Sequence, residues 1–160
     1  MIKTSVVGTE AVQRLLAGKS TQLADALRRK IDVVNIMLQS KIQGKLNNQL
    51  LRSHSGHLIQ SVHYTPATVS GGIIKGGVQA GGGVAPYARF LEEGTQPHAI
   101  RPKSPSGVLS FDVGGKQVFA KYVNHPGTRA YRFMIGTFEE NQLLIHREMQ
   151  KAVDEVAQSK

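Results

Sequence analysis

Cysteine and tryptophan are absent from this sequence, and aromatic residues make up only 6% of its 160 residues. Without cysteine the chain can form no disulfide, no thiolate nucleophile and no cysteine-ligated zinc site, which fits folding in a reducing compartment. No window reaches the roughly 20 apolar residues of a transmembrane helix, and the first residues lack the apolar core of a signal peptide. These absences predict a protein that is neither exported nor membrane-spanning.

Metal-binding and catalytic patterns are missing as well. Six histidines are present, but the His54-x-x-His57 pair has no HExxH motif or cysteine to supply further zinc ligands. Glu92 and Glu93 are sequence neighbours, so on a helix they would point in different directions and could not form a glycosidase dyad. The segment GGIIKGG lacks the GK[ST] ending of a phosphate-binding loop. The sequence therefore predicts no enzyme, no metal site and no cofactor.

Positive charge is what the chain has in excess. Its 20 Lys and Arg against 11 Asp and Glu give a formal net charge of +9, and much of it lies in the first 60 residues. A solvated helix face and a contact with DNA or an acidic neighbour would each account for this charge. The length suits one buried core, so we expect one domain, made of an N-terminal helical segment (1–50) and an α+β core (51–160).

The first third of the chain predicts helices. Thr9 can cap a short helix that Gly18 ends, and Ser20 or Thr21 can cap a longer helix that ends near position 50. In the longer helix, apolar residues recur at spacings of three and four, which predicts a stripe that packs on a sheet or a neighbouring subunit. The stripe consists of Leu23, Leu27, Ile31, Val34, Leu38, Ile42 and Leu46. Off the stripe lies a candidate basic face, formed by Arg28, Arg29, Lys41 and Lys45.

An antiparallel strand pair is predicted next. Residues 62–69 are rich in β-branched and aromatic types, residues 70–72 suit a turn, and residues 73–79 return. Gly76 and Gly77 in the returning strand indicate a bulge or a close approach of another backbone.

A short helix and a loop follow this strand pair. Pro86 suits the first turn of a helix that residues 88–93 complete, and Gly94 is placed to end it in the left-handed conformation. Residues 95–107 contain three prolines and predict an exposed loop.

The last third predicts a hairpin and a closing helix. Residues 108–113 and 117–123 bracket Gly114-Gly115, a pair suited to a two-residue hairpin turn. A last helix is predicted to begin at Arg132 or Phe133 and to carry an apolar stripe. That stripe consists of Ile135, Phe138, Ile145, Met149, Val153 and Val156. The predicted fold class is α+β, with a long N-terminal helix, an antiparallel sheet with a short inserted helix, and a C-terminal helix packed on the sheet.

Four short motifs in a fixed order carry a family resemblance. They are Ser55-Gly56-x-Leu58-x-x-Ser61, Tyr87-Ala88 with Glu92-x-Gly94-Thr95, Ile100-x-Pro102, and His125-Pro126-Gly127 ahead of Phe133. Together they resemble the tail-completion and head-tail joining family of long-tailed bacteriophages, which includes minor tail protein Z. The resemblance covers roughly residues 50–150. It departs at Arg132, where the family often has a proline.

The resemblance implies a structural virion protein at the head-proximal end of the tail. Such a protein would complete the tail and join it to the head connector as one subunit of a hexameric ring, with DNA passing through the lumen. Its partners would be copies of itself, a tail-terminator or tail-tube protein and head-tail connector proteins, and a transient contact with genomic DNA is left open. The implied location is the tail or neck of the virion, with assembly in the host cytoplasm.

The helix and loop around the second motif hold the candidate subunit or partner interface. Its residues are Tyr87, Arg89, Glu92, Glu93, Thr95, His98, Arg101 and Arg129. Tyrosine is enriched at interfaces, although Tyr87 could equally pack on the sheet. The helix macrodipole disfavours carboxylates near a helix C-terminus, so we expect the two glutamates to have an arginine partner, within the chain or between subunits. The candidate structural turns are Gly94, Pro102, His125, Pro126 and Gly127, with the histidine bonded to nearby backbone.

A small nucleic-acid-binding module is the alternative function. In that interpretation the basic face of the long helix would bind phosphates, and binding would weaken steeply with salt. Few aromatic residues lie among those cations, so a stacking surface for single strands is not indicated.

Overall fold

The structure is a computed structural model that describes residues 2–7, 21–47 and 56–158. Its helices are α1 (Thr21–Leu46), α2 (His57–Gln60), α3 (Ala88–Glu93), α4 (Ile135–Glu140) and α5 (Gln142–Gln158). Its strands are β1 (Ile2–Val7), β2 (His63–Ser70), β3 (Ile73–Ala80), β4 (His98–Ile100), β5 (Leu109–Val113), β6 (Lys116–Ala120) and β7 (Val123–His125). Among the described helices, none combines the length and the hydropathy that crossing a membrane requires. The helix predicted after Thr9 lies outside the described residues.

The α+β fold class is confirmed, with one main sheet and two small ribbons. The main sheet is antiparallel in the order β1-β3-β2, β4 pairs with β7, and β5 pairs with β6. Strand β1 has no counterpart in the prediction; its register pairs Ile2 with Ala80, far away in sequence. Strand β4 is also new, because it lies in the segment predicted as a loop. Both pairings are long-range, which local patterns do not reveal.

Helix α1 forms where the apolar stripe predicts it and covers the main sheet. All seven stripe residues are buried. Val34 and Leu38 share one core cluster with Val78 of β3 and with Phe133, while Leu27 belongs to a second cluster with the sheet. The N-terminal helix and the sheet therefore bury their apolar surfaces against each other.

Gly76 allows this close packing. A Cβ built on Gly76 would lie 2.7 Å from Asn35 Nδ2 and 3.0 Å from Ile31 Cγ2, so any side chain at this position would push α1 off the sheet. Of the two predicted alternatives, a register shift lies opposite on β2, between Thr65 and Thr68, and the backbone atom near Gly76 is Cα of Ala67, 3.1 Å from the added Cβ.

The outer edge of β2 is covered by side chains of α1. Gln39 Oε1 accepts a hydrogen bond from the Tyr64 backbone N–H at 2.8 Å, and Asp32 Oδ1 accepts one from the Ala67 backbone N–H at 2.7 Å. The two acceptors are seven residues apart on the helix, and the two donors are three residues apart on the strand. Both separations are about 10 Å, so acceptors and donors match in spacing. Pro66 lies between the donors and has no N–H.

Asn35 is the least satisfied side chain of this interface. It is fully buried, and within the described residues neither its amide nitrogen nor its oxygen has a hydrogen-bond partner. A buried polar group without a partner costs about 1–3 kcal/mol, and alanine has the higher helix propensity.

We therefore expect Asn35→Ala to raise stability by about 1 kcal/mol and the melting temperature by about 2–4 °C. Asn35→Asp is the matched control, because it keeps the shape but buries an unpaired charge and should lower the melting temperature. Thermal unfolding followed by circular dichroism measures both. A lower melting temperature for the alanine variant would mean that the amide has a stabilising partner.

The predicted closing helix is divided into α4 and α5. Asn141 separates them with φ −110° and ψ 8°, and its side chain donates to Thr137 O at 2.7 Å. Helix α5 lies along α1, and its Ala152 joins the core cluster that contains Leu27 and two sheet residues.

Ion pairs on the surface reinforce the contact between α1 and α5. Lys30 Nζ lies 2.8 Å from Glu155 and 4.0 Å from Glu148. The hydrogen bond to Glu155 raises the pKa of Lys30 above 10.5, and the hydrogen bond from Lys151 lowers the pKa of Glu148 below 4.5. The ion pairs of Glu148 therefore stabilise the fold above the ordinary carboxyl pKa and are lost as the pH falls through its lowered value.

Candidate assembly surface

Helix α3 is fixed to the rest of the chain through the buried side chain of Glu92. Its two carboxylate oxygens accept hydrogen bonds from the backbone N–H groups of Met134, at 2.9 Å, and Ile135, at 2.8 Å. Met134 is the N-cap residue of α4 and Ile135 is its first residue, and N–H groups at a helix start have no partner within the helix. Glu92 is only 1% exposed. It therefore caps α4 across 42 residues of sequence and is not available to a partner.

The backbone of α3 continues this contact. Leu91 O accepts from Tyr131 N at 2.8 Å, and Glu92 O accepts from Arg132 N at 3.2 Å. Arg132 has φ 50°, the one positive value among non-glycine residues in the described part of the chain. Proline holds φ near −65°. Arg132 stands where the resembled family often has a proline, and its positive φ is one that proline cannot adopt. The Arg132 side chain remains outside and pairs with Glu139 at 2.6 Å.

Gly94 ends α3 in a manner that differs from the prediction. Its φ is 76°, but its ψ is 179°, so it is not a left-handed helical cap. A Cβ at this position would lie 2.6 Å from Thr128 O and 2.8 Å from Ala130 N. Next to it, Thr95 and Thr128 form a bridge in which each backbone N–H donates to the other residue's carbonyl, at 2.8 and 3.2 Å. Glycine is required because two backbone segments meet here.

Gly94→Ala should lower stability by about 2–4 kcal/mol, since it adds a positive-φ penalty to a clash with backbone that cannot rotate away. Gly83→Ala is the matched control: its Cβ would meet no heavy atom within 4 Å, so we expect a change within about 0.5 kcal/mol. Chemical denaturation of both variants measures the difference. Equal midpoints would show that the two segments do not meet at Gly94.

The turn at Pro126 holds the β4-β7 ribbon in place. His125 Nδ1 accepts from the Gly127 backbone N–H at 3.1 Å, which confirms the predicted bond to nearby backbone. Gly127 has φ 90°, and a Cβ there would collide with the carbonyl oxygen of Thr95. His98 is paired with His125 across the ribbon, with ring centroids 5.2 Å apart. The segment predicted as a free loop is thus partly ordered as a strand.

The β5-β6 hairpin has one apolar and one mostly polar face. Directly opposed residues of an antiparallel pair lie on the same face. Phe111 opposes Val118, and Leu109 opposes Ala120, whereas Asp112 opposes Gln117. We call the side with Leu109, Phe111, Val113, Val118 and Ala120 the apolar hairpin face; it also carries Lys116, opposite Val113 at the tip. The opposite face carries Ser110, Asp112, Gln117 and the exposed Phe119.

No described part of the chain covers the apolar hairpin face. Every residue of the hairpin is exposed except Leu109 and Ala120 at its base, which are half-buried. Phe111 and Val118 are each 37% exposed, and Val113 is 57% exposed. A two-stranded hairpin is marginally stable by itself in water, and apolar patches of this kind mark interaction surfaces.

Exposed apolar residues are also found outside the hairpin, among them Val33 and Ile36 of α1, which are 57% and 50% exposed. Val84, Tyr87 and Phe90 protrude around α3. Ile135 and Leu143 protrude from α4 and α5, and Leu143 is 85% exposed. Tyr87, whose two alternatives were an interface and packing on the sheet, is 40% exposed.

The candidate basic face of α1 is divided by ion pairs. Lys45 Nζ donates to both carboxylate oxygens of Glu140 at 2.7 Å, and Arg28 Nε lies 3.8 Å from Asp25. Arg29 and Lys41 are exposed and, within the described residues, have no ion pair. The helix therefore presents two free cations where the sequence suggests four.

The remaining candidate interface residues are on the surface. Glu93 pairs with Arg89 of the same helix at 2.8 Å, which supplies one of the expected arginine partners within the chain. The guanidinium carbon of Arg101 lies 5.8 Å from the centre of the Tyr122 ring, and that of Arg129 lies 4.9 Å from the centre of the Tyr131 ring. Pro102 lies just before the turn closed by the hydrogen bond from Gly107 N to Ser104 O, and a Cβ on Gly107 would lie 3.1 Å from Pro102 Cβ. The described residues hold no group of three or more His, Asp or Glu side chains placed to bind a metal.

Comparisons with protein-family models, curated proteins and solved structures found no match to this chain.

Proposed function

We propose that this protein is a ring subunit at the head-proximal end of a long-tailed bacteriophage tail, where it completes the tail and joins it to the head connector. The observation that carries the proposal is the uncovered apolar hairpin face, which leaves Phe111, Val113 and Val118 in water unless another subunit covers them. The four ordered motifs, which resemble the tail-completion and head-tail joining family, indicate the kind of assembly that the subunit would join. DNA would pass through the lumen, and six subunits are expected because the family's rings follow tail symmetry.

The motif residues support a surface that is preset for docking. Glu92 fixes α3 to α4, and Gly94 and Gly127 allow the contact that bridges Thr95 and Thr128. These contacts anchor the β4-β7 ribbon from which the hairpin extends. Because the free chain already holds the surface in place, docking would cost little ordering entropy.

The surface that receives the hairpin would be the α4-α5 side of the next copy. It offers exposed Ile135 and Leu143, and residues 133–158 carry five Asp and Glu against two Lys and Arg. The hairpin lies in a basic segment, with Lys116 at its tip on the apolar hairpin face. Apolar contact with opposite net charge favours pairing of two different surfaces, and such heterologous contacts close into rings.

The test is the mass of the purified full-length chain by light scattering, alone and mixed with the tail-tube or tail-terminator protein of the phage that encodes it. A discrete ring, or a stoichiometric complex that forms on mixing, is the expected result. A monomer that ignores both tail proteins would overturn the proposal.

A further inference from the structure

Within the described residues, positive charge without a nearby carboxylate is concentrated in residues 94–131, outside the basic face of α1. This segment contains five Lys and Arg and one acidic residue, Asp112. The Asp112 carboxylate is occupied within its own turn, where it accepts from Gly115 N at 2.9 Å. Within the described residues, none of the five cations lies within 4.0 Å of a carboxylate, whereas Lys30 and Lys45 of α1 are both paired.

Four of the five cations belong to the β4-β7 ribbon and its adjoining loops. Ile100 and Val123 are the last paired residues at one end of the ribbon. Arg101, directly after β4, and Tyr122, directly before β7, therefore lie at this end. Lys121 and Lys103 lie at this same end, and Arg129 follows the Thr95-Thr128 bridge at the other end. We call Arg101, Lys103, Lys121 and Arg129 the ribbon cations. The fifth, Lys116, belongs to the apolar hairpin face.

The two arginines are positioned by aromatic rings. Arg101 lies over Tyr122 and Arg129 over Tyr131. A guanidinium against an aromatic face keeps its charge and its hydrogen-bond donors while its orientation is restricted. The two arginines of the ribbon cations are therefore partly ordered before any ligand arrives.

We infer that the ribbon cations bind the phosphate backbone of duplex DNA. The ribbon pairs three residues of each strand, a span of about 10 Å, and a duplex presents about six phosphates over that length. All three residues of β4 are exposed, whereas Val123 and His125 of β7 are half-buried. The His98-His125 pair and the neighbouring cations give this end of the chain the polar, positive character of protein-DNA interfaces. A docking site for an acidic protein would have an apolar centre, and in this chain that feature lies on the hairpin.

The choice of duplex DNA as the ligand rests on the proposed function, since a ring around the genome would meet duplex DNA. The site of contact is the ribbon and not the basic face of α1. Binding should therefore be independent of sequence and fall log-linearly with salt.

The experiment measures binding of a fluorescent random-sequence DNA duplex to the full-length chain by anisotropy, over a salt series. Arg101→Ala/Lys121→Ala should weaken binding at every salt concentration and reduce the magnitude of the salt slope by about 2. The matched control is Arg29→Ala/Lys41→Ala, which removes the same residue types from α1 and should leave the slope unchanged. Lys103→Ala/Arg129→Ala is a second test if the first variant fails to fold.

The inference would be overturned by no binding of duplex DNA by the unmodified chain, by an equal or larger loss in the α1 control, or by tighter binding of single-stranded RNA than of the duplex. Binding of polyglutamate without binding of DNA would also overturn it and indicate an acidic protein partner. The mass measurement on the same samples separates the two hypotheses, because a ring that ignores DNA preserves the proposed function and removes only this contact.

Discussion

Glu92→Ala should lower the free energy of unfolding by about 3–5 kcal/mol, the largest effect that we expect from a substitution on α3. The change removes a fully buried side chain and leaves a cavity. It also leaves the N–H groups of Met134 and Ile135 without their acceptors, at 2.9 and 2.8 Å in the intact chain. An unsatisfied helix N-terminus inside the protein is costly because no water reaches it.

Two controls separate capping from a general effect of charge on α3. Glu92→Gln keeps one acceptor oxygen but turns an NH₂ group toward the other donor, so its loss should be intermediate. Glu93→Ala removes an exposed carboxylate that pairs only with Arg89 and should change stability by less than about 1 kcal/mol. Urea unfolding of the three variants gives the order, and an alanine variant at position 92 that unfolds like the one at position 93 would disprove the cap.

Phe111→Thr/Val118→Thr should weaken the proposed ring while the monomer remains folded. Each residue is 37% exposed, so covering the remaining surface of both with a neighbour is worth about 1–2 kcal/mol, and the subunit affinity should fall by about 5–30-fold. Threonine keeps a high strand propensity, so the hairpin itself should persist. Sedimentation or light scattering over a range of protein concentrations measures the loss.

Phe119→Thr provides the matched control, because Phe119 lies on the opposite face of the same hairpin and is 61% exposed. It should leave the ring intact. Leu143→Thr tests the receiving side: this residue is 85% exposed in the single chain, so its replacement should weaken the ring without lowering monomer stability. If Phe119→Thr disrupted the ring as strongly as the double variant, the apolar hairpin face would not be the interface.

Local patterns predicted the elements whose formation depends on local chemistry. The stripe of α1 repeats with the period of a helix, and all seven of its residues are buried. The hairpin turn follows from Gly114-Gly115, both of which have positive φ. The glycine at position 76 predicted a bulge or a close backbone approach. Only the structure shows that α1 packs there, with Asn35 and Ile31 next to Gly76.

Features that depend on distant residues were not predictable from the sequence. The burial of Glu92 is set by N–H groups more than 40 residues away, so its position near a helix C-terminus suggested an arginine partner instead. Strand β1 pairs with β3 across more than 70 residues. The division at Asn141 was hidden because the apolar spacing continues across it from Phe138 to Ile145.

The ion pairs of α1, which reduce the free charge of its basic face, were likewise not predictable from the sequence. Composition shows that the first 60 residues are cation-rich, but it does not show that Lys30 and Lys45 face acids of the C-terminal helices. Within the described residues, five cations without an ion pair consequently lie in residues 94–131, whereas α1 keeps two, Arg29 and Lys41. Pairing between distant elements, which only the fold determines, decides where a charged surface lies.

The side chains of Asp32 and Gln39 occupy backbone N–H groups on the outer edge of β2, where another strand would otherwise pair. Along β2, the outward donors at Tyr64 and Ala67 are occupied and Pro66 has none, so another strand would find no free N–H on that stretch of the border. An added strand would therefore find part of this border closed, which hinders pairing between copies of the chain. Substituting Asp32 or Gln39 would free these donors and should favour association through the edge of β2.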